Sequence, residues 1–196
     1  NDAPSILVTS KSHLFCDDWT ILNIIRNRQD CCLLQLDIHR MVAWTEKNKL
    51  PFNTRKCKVM TFSRKERPIC YDYEMKSVPL QQVDSITDLG VLFDKEINFH
   101  DHISKIVHQS YRSLGFLKRN GHSFSYGTLS LLFNLYVRSK LEYASVVWNP
   151  YHHNFSHLID SLQHKFLRYL FFKKNKMTPP PAATTSDLLA EFSELK

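Results

Sequence analysis

Apolar and polar positions change rhythm once along this chain, from a period near two to a period near 3.6. Near the start, a short apolar run (Leu14, Phe15, Cys16) is followed by Asp17 and Asp18, then by a second run of Trp19, Thr20, Ile21 and Leu22. Two β-type runs split by two turn-forming residues predict a hairpin with the acidic pair at its bend. Helical spacing follows over residues 27–48. Leu34, Ile38, Met41 and Val42 share one stripe, Arg28, Asp37, Arg40 and Lys47 lie off it, and Pro51 terminates the element. Residues 56–63, 69–75 and 83–93 read as strands, the last interrupted by Gly90, which marks a bulge or a close backbone approach.

After Phe99 the spacing is helical throughout. Ile103, Ile106, Val107, Leu114 and Leu117 form one stripe, and Leu129, Leu132, Phe133, Tyr136 and Val137 a second. Phe155, Leu158, Ile159, Leu162, Phe166, Tyr169 and Leu170 form a third. Residues 173–186, with Pro179, Pro180 and Pro181, read as a stiffened linker, and residues 187–196 as the start of a further helix. The expected fold class is therefore α+β. Residues 1–95 make a small mixed unit of hairpin, helix and antiparallel strands, residues 96–172 an all-helical unit, and residues 173–196 an appendage, with the main seam at 94–98.

At 196 residues, 43% hydrophobic and 12% aromatic, the chain is equipped for a packed core and is not a disordered tail. A net charge of +7 points to an anionic partner, of which nucleic acid is the commonest. Five cysteines, an odd number without a C-x-x-C pair, read as reduced core thiols and point to an intracellular location, the nucleus included. No apolar run reaches the ~18 residues of a membrane span, so no membrane partner is expected. The opening at Asn1 and the helix-like run at the end suggest a piece of something longer.

The acidic pair carries the most chemistry. Carboxylate oxygens suit a hard divalent cation such as Mg²⁺, and at a tight turn both can reach one polar cleft although strand residues alternate in direction. A solvated Asp-Asp turn is the plain alternative. The histidines at 100, 102, 152, 153, 157 and 164 read as polar helix surface, because all five cysteines lie upstream of residue 71 and no four-ligand set forms. No nucleophile elbow and no Gly-rich phosphate loop is present.

Taken in order, several blocks resemble the C-terminal half of a reverse transcriptase of jockey-like non-LTR retrotransposons. They are Leu14 to Asp18; Trp44 with Asn48, Lys49, Leu50 and the run Asn53 to Cys57; Met60 to Arg64; Asp88 to Asp94; and Val137 to Ser145 with Val147 to Pro150. Together they span roughly residues 10–170 in the family's order. Cys16 stands where the family usually has Ala, a departure that suggests a drifting copy.

The resemblance implies a palm ending near residue 95 and a helical thumb after it. It implies that Asp17 is a metal ligand and Asp18 a supporting one, in a site where two Mg²⁺ ions about 4 Å apart stabilise the attacking and leaving oxygens of nucleotide transfer. A further catalytic Asp is expected on a strand upstream of Asn1, so this piece alone is expected to lack polymerase activity. Lys56 is implied to act near the departing pyrophosphate. Leu89 and Gly90 are implied to form a primer-gripping hairpin, and Lys105, Arg112, Lys118, Arg119, Arg138 and Lys140, with Lys165 and Arg168, to contact template–primer phosphates. The implied partners are an RNA template, a DNA primer and dNTPs, with the oligomeric state open. A non-catalytic nucleic-acid-binding remnant, or an inert or co-opted truncated product, is the alternative.

Overall fold

The computed structural model describes residues 3–149 and 153–192. The chain divides into two compact units, Asn1–Ile86 with Asp94–Ile97, and Thr87–Phe93 with Asn98–Lys196. The fold class is α+β, as expected; residues 87–93 and 173–196 fall with the helical unit, and residues 96–97 with the first.

In the first unit, β1 (Lys11–Phe15) and β2 (Asp18–Leu22) pair antiparallel with Phe15 opposite Asp18. The two-residue loop is therefore Cys16 and Asp17. Helix α1 (Arg28–Lys47) starts where its sequence says it should: Asn27 accepts from the Asp30 N–H and the Asp30 carboxylate accepts from the Asn27 N–H, so two otherwise unpaired donors are satisfied reciprocally. Its apolar face buries Cys31, Ile38 and Met41. Gln35 on the same face replaces a strand: its amide nitrogen donates to Glu74 O at 2.8 Å and its oxygen accepts from Glu74 N at 2.9 Å. That clamp holds β4 (Glu74–Met75) against the helix and brings Tyr73 and Met75 into the core with Cys31 and Ile38.

The remaining strands are shorter than expected. β3 (Lys58–Val59) pairs in parallel with β6 (Gln81–Gln82), whereas β4 pairs antiparallel with β5 (Val78–Pro79). A parallel pair stands where only antiparallel strands are expected from the sequence. Residues 83–93 are not one strand but a hairpin, β7 (Ser85–Asp88) and β8 (Val91–Asp94), turning at Leu89 and Gly90. Both turn residues have positive φ, 44° and 84°, so Gly90 is a turn residue and not a bulge.

The second unit is built on α2 (His100–Asn120), α3 (Tyr126–Phe133) and α6 (His153–Asn175). Their apolar stripes meet around Ile103, Leu114, Leu129 and Leu162, and Phe133 stacks on Phe166 with ring centres 4.0 Å apart. After α3 the helix widens into a π turn over Asn134–Arg138 before the short α4 (Ser139–Glu142) and α5 (Ser145–Trp148). The wider turn changes the angular register, so Val137 stays buried while Tyr136, expected on the same stripe, is exposed.

Residues 173–186 do not form a linker. The chain folds back after α6 because Arg168 donates to the carbonyls of Pro179 and Pro180, and α7 (Thr185–Ala190) delivers Leu188 to the core. Of the five thiols, Cys31 alone is buried and Cys57 is half-buried, whereas Cys16, Cys32 and Cys70 are exposed; all five are free, so the core-thiol expectation holds for a minority.

Candidate nucleic-acid interface and acidic hairpin

The acidic hairpin is positioned from beneath by an aspartate that the sequence places off the apolar stripe. Asp37 on α1 is fully buried. Its Oδ2 accepts from Thr9 N, Thr9 Oγ1 and Ser10 N, and its Oδ1 accepts from Val8 N and from Arg40 Nη1 at 2.6 Å. Burial pushes this carboxyl up, but the bonds from Val8, Thr9, Ser10 and Arg40 outweigh it and hold the group well below the usual carboxylate range. The anchored segment runs straight into Lys11, the first residue of β1.

At the other end of the hairpin, Trp19 fixes β2. Its indole N–H donates to Ser12 Oγ at 2.6 Å, and its ring meets Trp44 and Phe52, each with centres 5.9 Å away. Phe52 leads into the turn that Lys56 N–H closes on Asn53 O at 2.9 Å. One aromatic cluster thus supports both the acidic hairpin and the Lys56 turn, and Lys56 itself is exposed.

Cys16 takes φ 52° at the first loop position, a conformation that costs a non-glycine residue about 1 kcal/mol. Asp17 occupies the loop and Asp18 opens β2; both are exposed, and among the described residues neither carboxylate makes a hydrogen bond or ion pair. The carboxylates therefore stand in open solvent at a hairpin tip and not inside a cleft. Two adjacent carboxylates fit one hydrated Mg²⁺, which keeps several waters when held by one or two such groups. No cluster of three or more candidate ligands forms among the described residues, so the donors of a two-metal site are not assembled within them.

In the helical unit the Leu89–Gly90 turn is held by Tyr143, which the sequence reading passed over. Its hydroxyl donates to Leu89 O at 2.8 Å, and a Cβ on Gly90 would lie 3.3 Å from its ring. Tyr143 sits inside the Val137 to Ser145 block, and that membership is the one signal the sequence offers for it. Beside this turn is an open cavity of about 330 Å³ lined by Gly90, His102, Ile106, Gln109, Lys140 and Tyr143, together with Ser139.

His102 is 2% exposed, which corrects its reading as helix surface. Its Nδ1 accepts from Leu92 N–H at 3.2 Å, its ring packs on Trp148, and burial followed by the charge of Lys105 keeps it neutral more readily than an ordinary histidine.

The basic residues separate into groups. Lys105, Arg112 and Arg119 project outward from α2 and form no ion pair among the described residues. Lys140 donates to Ser113 Oγ at 2.7 Å, and exposed Arg138 pairs with Glu142 at 2.6 Å. Lys118 lies on the opposite side of α2, half-buried over the Tyr169 ring, and burial followed by Lys165 lowers its pKa. Lys165 covers the Tyr111 ring, and Arg168 is committed to the proline segment. These last three have structural partners, so they do not share the outward face of α2.

No protein-family model, no curated protein and no solved structure matches this chain.

Proposed function

We propose that the chain is the C-terminal palm-and-thumb part of an RNA-directed DNA polymerase of a mobile element, whose intact parent extends a DNA primer on an RNA template with dNTPs. What supports this reading most is the β1–β2 hairpin. A two-residue bend sets Asp17 and Asp18 side by side in solvent, on a support shared with the Lys56 turn. Asp17 and Asp18 would hold Mg²⁺ in the parent, and the ion would supply charge stabilisation for the attacking and leaving oxygens. The carboxylates hold that charge at the hairpin tip, Lys56 offers a cation to a departing phosphate, and the Leu89–Gly90 turn lets backbone approach the primer.

The outward basic face of α2 also suits a non-catalytic nucleic-acid-binding remnant, and one titration separates the two. An RNA–DNA template–primer is titrated into the wild-type chain and into Asp17→Asn/Asp18→Asn, with EDTA or with Mg²⁺. On the polymerase reading, the variant binds more tightly in EDTA because two repelling charges near the phosphates are gone, and Mg²⁺ removes that advantage. Identical responses of both proteins favour the remnant.

A further inference from the structure

We propose that the outward face of α2 is a platform for a short single-stranded nucleic-acid segment, with Lys105, Arg112 and Arg119 on its phosphates and Phe116 beneath one of its bases. This proposal rests on the nucleic-acid reading above and names the strand form that this face takes. The residues Lys105, Gln109, Arg112, Phe116 and Arg119 recur at helical spacing and fall within an arc of about 80° on a helix turning ~100° per residue. All five are exposed. The three cations are seven residues apart, so they stand about 10.5 Å from one another along roughly 21 Å of helix.

Charge complementarity selects the occupant. None of the three cations is ion-paired among the described residues, and the single acidic residue on α2 is Asp101, in its first turn. Lys140, held by Ser113, adds a fourth positive charge at the margin of the same face. An anionic polymer laid along this stripe releases counterions at each contact.

Phe116 decides between duplex and single strand. Its ring is 60% exposed, between Arg112 and Arg119, with its helix neighbours Leu114 and Leu117 buried in the core. In a duplex the bases are stacked on each other and phosphates face outward, so a phenyl ring set among phosphate-binding cations gains nothing. An unpaired base offers a π-face that stacks on such a ring without regard to sequence. A Cβ on Gly115 would approach Arg119 Nη1 to 3.3 Å, so Gly115 lets the guanidinium lie back along the helix, one position before Phe116 in the chain.

The test is fluorescence anisotropy on the full chain with a labelled single-stranded oligonucleotide of about eight residues, against a blunt RNA–DNA hybrid of equal length. The wild type is expected to prefer the single strand. Phe116→Ala is expected to weaken that binding about tenfold, and Phe116→Trp to restore it with quenching of the new indole on binding. Arg112→Gln is expected to lower the salt slope by about 0.7, the share of one phosphate. Because Phe116 is exposed, circular dichroism should be unchanged in each variant. A preference for the hybrid, or single-strand binding indifferent to Phe116→Ala, overturns the platform while leaving the polymerase-fragment reading in place. A wild-type chain that binds neither form at low salt overturns both.

Discussion

Replacing Asp37 with Asn is the sharpest structural perturbation that the first unit offers. The carboxylate accepts five hydrogen bonds, and the amide keeps one oxygen, so either the two bonds on Oδ1 or the three on Oδ2 now meet an NH₂ group. The smaller loss removes the Val8 and Arg40 bonds. A bond to a charged group contributes about 1.5–3 kcal/mol, and the Arg40 share is discounted to the surface-pair level because its side chain is 41% exposed. The expected cost is about 2 kcal/mol, localised on the segment entering β1. Amide hydrogen exchange reads it directly, as a roughly 30-fold loss of protection at Thr9 and Ser10.

The acid limb adds a second signature of the same substitution. A carboxyl held well below its unfolded value stabilises the fold above that value, ~3.9, and the stabilisation is lost as pH falls through the folded pKa. Protection in the wild type should therefore decline below about pH 4, and in Asp37→Asn it should not. Protection in the variant within threefold of wild type, or an unchanged acid limb, refutes the anchoring role.

Other outcomes follow from single contacts. Gly90→Ala, at φ 84° and facing the Tyr143 ring at 3.3 Å, should cost about 1–2 kcal/mol in thermal or urea unfolding of the helical unit. Tyr111 is raised by burial, but its bonds to Ser161 and Lys165 prevail and lower its pKa. Lys165→Met should move its ionisation upward, read from the Tyr111 ring carbon by NMR, and no upward movement would show that Lys165 does not act on it. Leu129→Ala, with a fully buried side chain in the helical core, should destabilise by about 2–5 kcal/mol.

The helices were legible because their signals are local. Asn27 and Asp30 cap α1, and stripes of period 3.6 lead to α2, α3 and α6. Strand lengths were not legible, since a run such as 56–63 has β character but pairs only where a partner is supplied, here at Lys58 and Val59. Asp37 hid because a buried carboxylate is betrayed only by its donors, and all of those but Arg40 lie 27 to 29 residues away. Arg168 likewise turned a proline-rich stretch into packed structure through contacts 11 and 12 residues distant. The acidic bend itself was readable, displaced by one position: Cys16 and Asp17 form the loop, with Asp18 already in the strand.

The central claim, that the carboxylates of Asp17 and Asp18 hold a divalent ion beside a nucleic-acid end, is tested most directly with Mn²⁺ in place of Mg²⁺. Amide resonances of the chain are followed as Mn²⁺ is added, with and without an RNA–DNA template–primer. The account predicts paramagnetic broadening centred on Cys16, Asp17 and Asp18, strengthened by the template–primer and abolished in Asp17→Asn/Asp18→Asn. Broadening centred elsewhere, or unaffected by the nucleic acid, would contradict it.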